Sequence, residues 1–129
     1  MPQHVTIYHN PRCSKSRETL ALIKEQGIEP TIIQYLETPP DAATLKTLLK
    51  ELGFTSARQL MRHKEDLYKE LNLADESLTE DQLIDAMINN PKLIERPIVV
   101  KGKKARIGRP PEQVLEILYR EVFIWNSPS

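Results

Sequence analysis

Residues 5–17 read VTIYHNPRCSKSR and decide the fold at the start of the chain. The first four are apolar, aromatic or β-branched, which is typical of a short buried strand. A helical pattern follows and stops at Gly27, where a residue that tolerates positive φ is expected. The turn between them holds Cys13, the only cysteine in the sequence. The sequence therefore predicts a strand over 5–8, a helix over 14–26 and a thiol at the N-terminus of that helix.

The position of Cys13 predicts a reactive thiolate. Unpaired backbone N–H groups and the positive end of the helix dipole favour the anion, and the thiolate is the nucleophilic form. Four basic side chains stand near it in the sequence: His9, Arg12, Lys15 and Arg17. The positive charge of these side chains also favours the thiolate form of Cys13. A small buried cysteine that only packs is the alternative, but these polar neighbours favour the nucleophile.

Two neighbours of the thiol have roles that the sequence leaves open. His9 would lower the pKa of the thiol as an imidazolium, or take its proton as a neutral base. Ser16 completes a C-x-x-S spacing, a one-thiol version of the C-x-x-C redox motif. Its hydroxyl would hydrogen-bond the thiolate, or it would be a solvated serine of the first helical turn. Because no second cysteine is present, an oxidised Cys13 needs an external thiol to resolve it.

The remaining pattern predicts the order β-α-β, a helical insert, then β-β-α. Residues 31–36 form an apolar run whose continuous character suits a sheet covered on both faces. A strand, helix and strand of this length imply parallel pairing. Residues 98–107 read as a hairpin, and Pro110 with Pro111 opens a last helix. This order is that of a thioredoxin-like α/β fold, a mixed sheet flanked by helices.

We expect residues 1–129 to form a single domain, with the helical insert at about 41–95 and an unassigned tail at 119–129. Within the insert, Asp41 is positioned to cap a helix. Thr79 begins a capping box that precedes an apolar face. In a thioredoxin-like fold, the loop after the first strand carries the reactive cysteine, and Cys13 occupies that place.

Composition excludes several classes of function. Lysine plus arginine equals aspartate plus glutamate at 18 each, so no overall field recruits nucleic acid or a membrane. No signal peptide is visible, and no stretch approaches the ~20 apolar residues of a membrane span. Three histidines and one cysteine do not match a zinc spacing. We expect no bound cofactor or metal, and a cytoplasmic location because a free thiol suits a reducing compartment.

Three arginines are candidates for binding an anionic substrate. Arg96 precedes Pro97, and the proline at this place in a thioredoxin-like fold is typically cis and faces the cysteine. Arg109 follows the hairpin, and Arg62 lies in the helical insert. The planar guanidinium makes paired hydrogen bonds to oxyanions. Taken singly, each of these residues is most simply a surface arginine. Because the fold is predicted to bring all three to the end of the sheet that carries the cysteine, together they indicate an oxyanion site. Weaker candidates are Arg12, Arg17 and Arg58.

Four stretches together resemble the glutaredoxin-coupled arsenate reductases of the ArsC family, which have a thioredoxin-like fold. They are IYHNPRCSKSR at 7–17, RQLMR at 58–62, NPKLIERPIVV at 90–100 and ARIGRPPE at 105–112. The resemblance extends over about residues 4–118. It implies a nucleophilic Cys13, a His9 that assists its ionisation and a helix-turn Ser16. It also implies three oxyanion-binding residues: Arg62, Arg96 and Arg109.

The activity that the resemblance implies is reduction of arsenate to arsenite through an adduct of Cys13 with arsenic. Glutathione would be the co-substrate and glutaredoxin the protein partner. One alternative is a glutathione-dependent thiol-redox protein of the same family with a substrate other than arsenate. Another is a regulator similar to Spx, which binds RNA polymerase, although Ser16 in place of a second cysteine argues against its dithiol switch. A binding module without turnover is the third.

Overall fold

The structure is a computed structural model and describes residues 4–118. The tail at 119–129 lies outside the described residues. The described residues divide into two compact units, one formed by residues 4–34 with 96–118 and the other by Tyr35–Glu95. The helical insert expected at about 41–95 falls within the second unit.

The first unit is built on a mixed four-stranded sheet. Its strands are β1 (Val5–Tyr8), β2 (Thr31–Ile33), β3 (Ile98–Lys101) and β4 (Lys104–Ile107), in the spatial order β2-β1-β3-β4. β1 pairs with β2 in parallel and with β3 in antiparallel fashion, and β3 pairs with β4 as the predicted hairpin. Helix α1 (Ser14–Glu25) is the crossover between β1 and β2. The predicted α/β thioredoxin-like order is confirmed, and it places Cys13 between β1 and α1.

One prediction for this sheet is wrong. The strand expected over 31–36 ends at Ile33, and Ile32 is 43% exposed. β2 stands at the edge of the sheet, so an apolar run there is not covered on both faces. The chain leaves the sheet and enters the second unit at Tyr35, which is buried there.

The core of the first unit lies between the sheet and its helices. It contains Val5 and Ile7 of β1, Val99 of β3 and Ile23 of α1. The last helix, predicted from Pro110, begins as a 3₁₀ turn over Pro111–Val114 and continues as α5 over Leu115–Leu118. Its buried residues are Pro111, Val114, Ile117 and Leu118, while Leu115 is only partly buried.

The second unit is helical. It contains α2 (Ala42–Leu52), α3 (Asp66–Glu70) and α4 (Glu80–Asn89), with 3₁₀ turns at Ala57–Leu60 and Pro91–Leu93. The predicted caps are confirmed: the Asp41 side chain accepts the Thr44 N–H at 2.8 Å, and Thr79 forms a capping box with Gln82. Among residues 4–118, no helix combines the length and the apolar character needed to cross a membrane.

Candidate active site

The loop between β1 and α1 is held by its own polar groups. The Asn10 carbonyl accepts the backbone N–H of Cys13 at 3.0 Å, and Asn10 Oδ1 accepts that of Arg12 at 3.0 Å. From the first turn of α1, Arg17 Nη1 donates to the Pro11 carbonyl at 2.9 Å. Cys13 is thereby fixed at the N-cap of α1 in an extended conformation. This places its side chain at the positive end of the helix.

The surroundings of Cys13 favour its thiolate. Burial by itself would raise the pKa of the thiol. The backbone N–H of Ser16, the Arg96 guanidinium, the backbone N–H of Lys15 and the Arg109 guanidinium together outweigh it, so the pKa lies below its ordinary value. Hydrogen bonds and cations that meet the anion stabilise the charged form. The geometry therefore supports a nucleophilic sulfur that exists as an anion at lower pH than free cysteine.

One of the three predicted arginines, Arg109, lies beside this sulfur, and the charge of a second, Arg96, acts on the thiol. Arg109 Nη2 is 3.9 Å from Cys13 Sγ, and Arg109 Nε donates to the Arg96 carbonyl at 2.9 Å. The peptide bond between Arg96 and Pro97 is cis, as predicted, and so is that between Arg109 and Pro110. The two arginine-bearing segments are therefore joined next to the thiol. Their positive charges act locally on the thiol, in a chain whose formal net charge is zero.

His9 and Ser16 form a buried pair below the loop. His9 is 6% exposed and Ser16 is fully buried. His9 Nδ1 and Ser16 Oγ are 2.6 Å apart, and Ser16 Oγ accepts the Asn10 N–H at 3.0 Å. While it accepts from Asn10, the hydroxyl can donate its own proton to Nδ1, and in that arrangement the proton of a neutral imidazole lies on Nε2. Ser16 is thus not a solvated serine, and its hydroxyl faces His9 and Asn10.

The state of His9 follows from its burial. Burial lowers the pKa of His9, and the charges of Arg17 and Lys24 lower it further. Burial disfavours the charged form, and like charges add to that effect. Of the two roles that the sequence left open, the structure favours a neutral imidazole over an imidazolium. Backbone N–H groups and guanidinium groups supply the stabilisation of the Cys13 anion.

Arg62, the third predicted arginine, belongs to the second unit. Its guanidinium forms an ion pair with Glu65 at 3.2 Å and reaches the Lys92 carbonyl at 3.5 Å. Its backbone N–H donates to the Leu93 carbonyl at 2.7 Å. The role of Arg62 toward an oxyanion stays a prediction.

Arg58, a weaker candidate, has a structural role. Its Nε donates to the Leu73 carbonyl at 3.1 Å and its Nη2 to the Asp75 carbonyl at 2.9 Å. Across residues 4–118, no group of three or more His, Cys, Asp or Glu side chains could hold a metal ion.

Sequence reasoning missed the contact that brings the Arg109 segment close to α1. Gly108 is buried, and a Cβ there would collide with Thr19 of α1 and with Pro97. The only local signal is a glycine just after a strand, between Ile107 and Arg109, where no turn requires it. Such a glycine indicates close backbone approach, but the partner cannot be read from the sequence.

A sequence model described as the ArsC family matches residues 8–117. The chain belongs to the ArsC family. It is 73% identical over 118 residues to an uncharacterised Escherichia coli K12 protein, YfgD, covering 92% of this chain and 99% of that protein. It is 54% identical over 114 residues to a Haemophilus influenzae protein named arsenate reductase, covering 88% and 98% of the two chains.

A solved structure supports the same relationship. The structure titled arsenate reductase from Vibrio cholerae superposes with a TM-score of 0.88 at 61% identity, covering 91% of this ArsC-family chain and 99% of that one. The family match spans the Cys13 loop in the first unit and the whole of the second unit.

Proposed function

We propose that this ArsC-family chain reduces arsenate to arsenite through an adduct of Cys13 with arsenic, with electrons from glutathione and glutaredoxin. The observation that carries the proposal is a thiol with a lowered pKa and a guanidinium nitrogen 3.9 Å from its sulfur. A thiolate and an oxyanion repel each other, so fixed cations beside the sulfur are what such a reaction needs. The Haemophilus influenzae and Vibrio cholerae relatives are named arsenate reductases.

Arsenate binding would use the groups that already stabilise the thiolate. The Arg109 guanidinium lies beside Cys13 Sγ and the charge of Arg96 acts on the same sulfur. The planar guanidinium can hold an oxyanion through paired hydrogen bonds. The backbone N–H groups at the start of α1 add donors at the positive helix end. The resemblance adds Arg62 as a third guanidinium, and this part is inferred from the motif alone.

The first step is attack on arsenic. The Cys13 thiolate forms an S–As(V) bond, and one As–O bond breaks, the oxygen leaving as water after it takes up two protons. No electron is transferred to arsenic at this stage.

The second step moves two electrons to arsenic. A glutathione thiolate attacks the sulfur of Cys13, an S–S bond forms, and the S–As bond breaks with its electron pair remaining on arsenic. Arsenic leaves as arsenite, and Cys13 is left as a mixed disulfide with glutathione. A thiolate of glutaredoxin then attacks the glutathione sulfur and releases the Cys13 thiolate. This external resolution is required because the sequence contains one cysteine. We place the reaction in the cytoplasm, since free thiols persist in a reducing compartment.

The test is NADPH oxidation on addition of arsenate, with glutathione, glutathione reductase and glutaredoxin supplied. We expect arsenate-dependent oxidation with the intact chain and none with Cys13→Ser, whose melting temperature should stay close to that of the parent. Background rates with the intact chain would refute arsenate as substrate. If Cys13 still alkylated with a low pKa in that case, a thiol-redox protein with another substrate would replace the proposal.

A matched pair of arginine variants tests the binding site. Arg109→Lys keeps the charge but loses the planar fork, so we expect the KM for arsenate to rise by about tenfold, a typical loss for one charge-assisted hydrogen bond. Arg106→Lys is the control, because Arg106 pairs with Glu116 at 3.0 Å and has no role in the proposed site. Equal KM values for the two variants would remove Arg109 from substrate binding.

A further inference from the structure

The end of β4 packs unusually closely on the first half of α1. A Cβ built on Gly108 would lie 2.9 Å from Pro97 Cγ and 3.1 Å from Thr19 Cγ2, and closer still to Thr19 Oγ1. Real Cβ atoms essentially never approach other heavy atoms to less than 3.0 Å. The glycine is required here for space, since its φ is not in the left-handed region.

Neither neighbour can move cheaply. Thr19 is fully buried, and its hydroxyl donates to the Lys15 carbonyl at 2.7 Å, so turning the side chain would break that bond. Pro97 is buried, and its ring is closed on the backbone and cannot rotate away. In a close-packed interior, such a collision is relieved by moving backbone. The segment that would move is the one that continues into Arg109.

Gly108 also lies between the two contacts that join the arginine segments. Its N–H donates to the Pro97 carbonyl at 2.9 Å, which extends the β3–β4 pairing past the last register pair, Ile98 with Ile107. The next residue, Arg109, then donates from Nε to the Arg96 carbonyl. The distance between α1 and this joined pair of segments is therefore set at residue 108.

We propose that Gly108 is a positioning residue, whose missing side chain lets the Arg109 segment pack on Thr19 and so holds the Arg109 guanidinium beside Cys13 Sγ. At 3.9 Å that contact is already near the limit of a hydrogen bond to sulfur. A further displacement of about 1 Å weakens the attraction between the two charges appreciably, because Coulomb energy falls with distance. The part that concerns arsenate rests on the proposed function, whereas the part that concerns the thiol does not.

The test compares Gly108→Ala with Gly27→Ala. Gly27 follows the C-cap of α1 with φ +76° and has nothing within 4 Å of an added Cβ, so alanine there costs stability through backbone strain and without a collision. Both variants should melt at lower temperature than the parent. The pH profile of Cys13 alkylation by iodoacetamide should shift upward by roughly half a pKa unit in Gly108→Ala alone. If the parent reduces arsenate, the KM for arsenate should rise several-fold in the same variant.

A rescue variant keeps the proposal testable if Gly108→Ala folds poorly. Thr19→Ala removes the two Thr19 atoms that an added Cβ would meet but leaves its approach to Pro97 Cγ at 2.9 Å, so the double variant with Gly108→Ala should recover part of the lost melting temperature and part of the lowered thiol pKa. An unchanged alkylation profile in folded Gly108→Ala would overturn the proposal. So would an equal shift in Gly27→Ala, or a double variant no better than Gly108→Ala. A parent without arsenate reduction would refute the proposed function and leave the thiol comparison valid.

Discussion

Ser16→Ala separates two contributions that residue 16 makes to the site. The hydroxyl accepts the Asn10 N–H at 3.0 Å and lies 2.6 Å from His9 Nδ1, whereas the backbone N–H of the same residue stabilises the Cys13 anion. Alanine removes the hydroxyl and keeps the N–H. The substitution should therefore destabilise the loop and leave the thiolate almost unchanged.

The size of the destabilisation follows from the two contacts. His9 Nδ1 and the Asn10 N–H both lose their partner in a buried or partly buried place. At about 1 kcal/mol for each neutral hydrogen bond, the loss is about 2 kcal/mol. For a chain of this length we expect the melting temperature to fall by roughly 6–10 °C. The pKa of Cys13 should change by less than about 0.3 unit, since the Ser16 N–H is retained.

Two measurements on the same samples check this prediction: thermal unfolding by circular dichroism and the pH dependence of Cys13 alkylation. Ser14→Ala is the control, because Ser14 is an exposed first residue of the same helix and surface changes usually stay within about 0.5 kcal/mol. A melting temperature equal to that of Ser14→Ala would refute the hydrogen-bond argument. A clear rise in the thiol pKa would show that the hydroxyl acts on Cys13 after all.

The pKa of His9 lies below its ordinary value of 6.5 in the folded chain, so the unfolded chain binds more protons as the pH falls below 6.5 and the folded chain loses stability there. His9→Asn keeps an acceptor for Ser16. When the pH falls from about 7.5 to about 5.5, we expect the melting temperature of this variant to fall by less than that of the parent. An equal fall in both chains would contradict a buried neutral His9. In the second unit, Glu80 accepts the Ala57 N–H at 2.6 Å and the Ser56 hydroxyl at 2.9 Å. Glu80→Ala should therefore cost about 1 kcal/mol in urea unfolding, and Glu80→Gln, which keeps an acceptor, should cost less.

Features that depend on nearby residues were predicted well from the sequence. The caps at Asp41 and Thr79, the hairpin and the cysteine at the start of α1 each involve groups a few residues apart. A capping side chain accepts a backbone N–H two or three residues further along its own helix, so the sequence spacing identifies its partner. The lowered pKa of Cys13 follows partly from the same local geometry.

Features that depend on packing between distant segments were not predictable in the same way. Ile32 is exposed because β2 lies at the edge of the sheet. The residues of a strand do not by themselves encode whether it is an edge strand or a central one. The ion pair between Arg62 and Glu65 competes with any role of Arg62 in binding an anion. Predicting this pair requires the local backbone conformation, which the sequence does not give. The Ser16 hydroxyl faces His9, which is buried. From the sequence alone, a histidine at the end of a strand would be expected at the surface, where it could not bind a buried hydroxyl.

Two backbone N–H groups and two guanidinium groups stabilise the Cys13 anion, and the guanidinium is in general the side-chain cation that proteins use for fixed positive charge. The stabilisation that these four groups provide is therefore built into the loop and does not require a second acid or base to be in a particular protonation state. A change of pH would then alter the fraction of molecules that carry the thiolate without removing the groups that stabilise it.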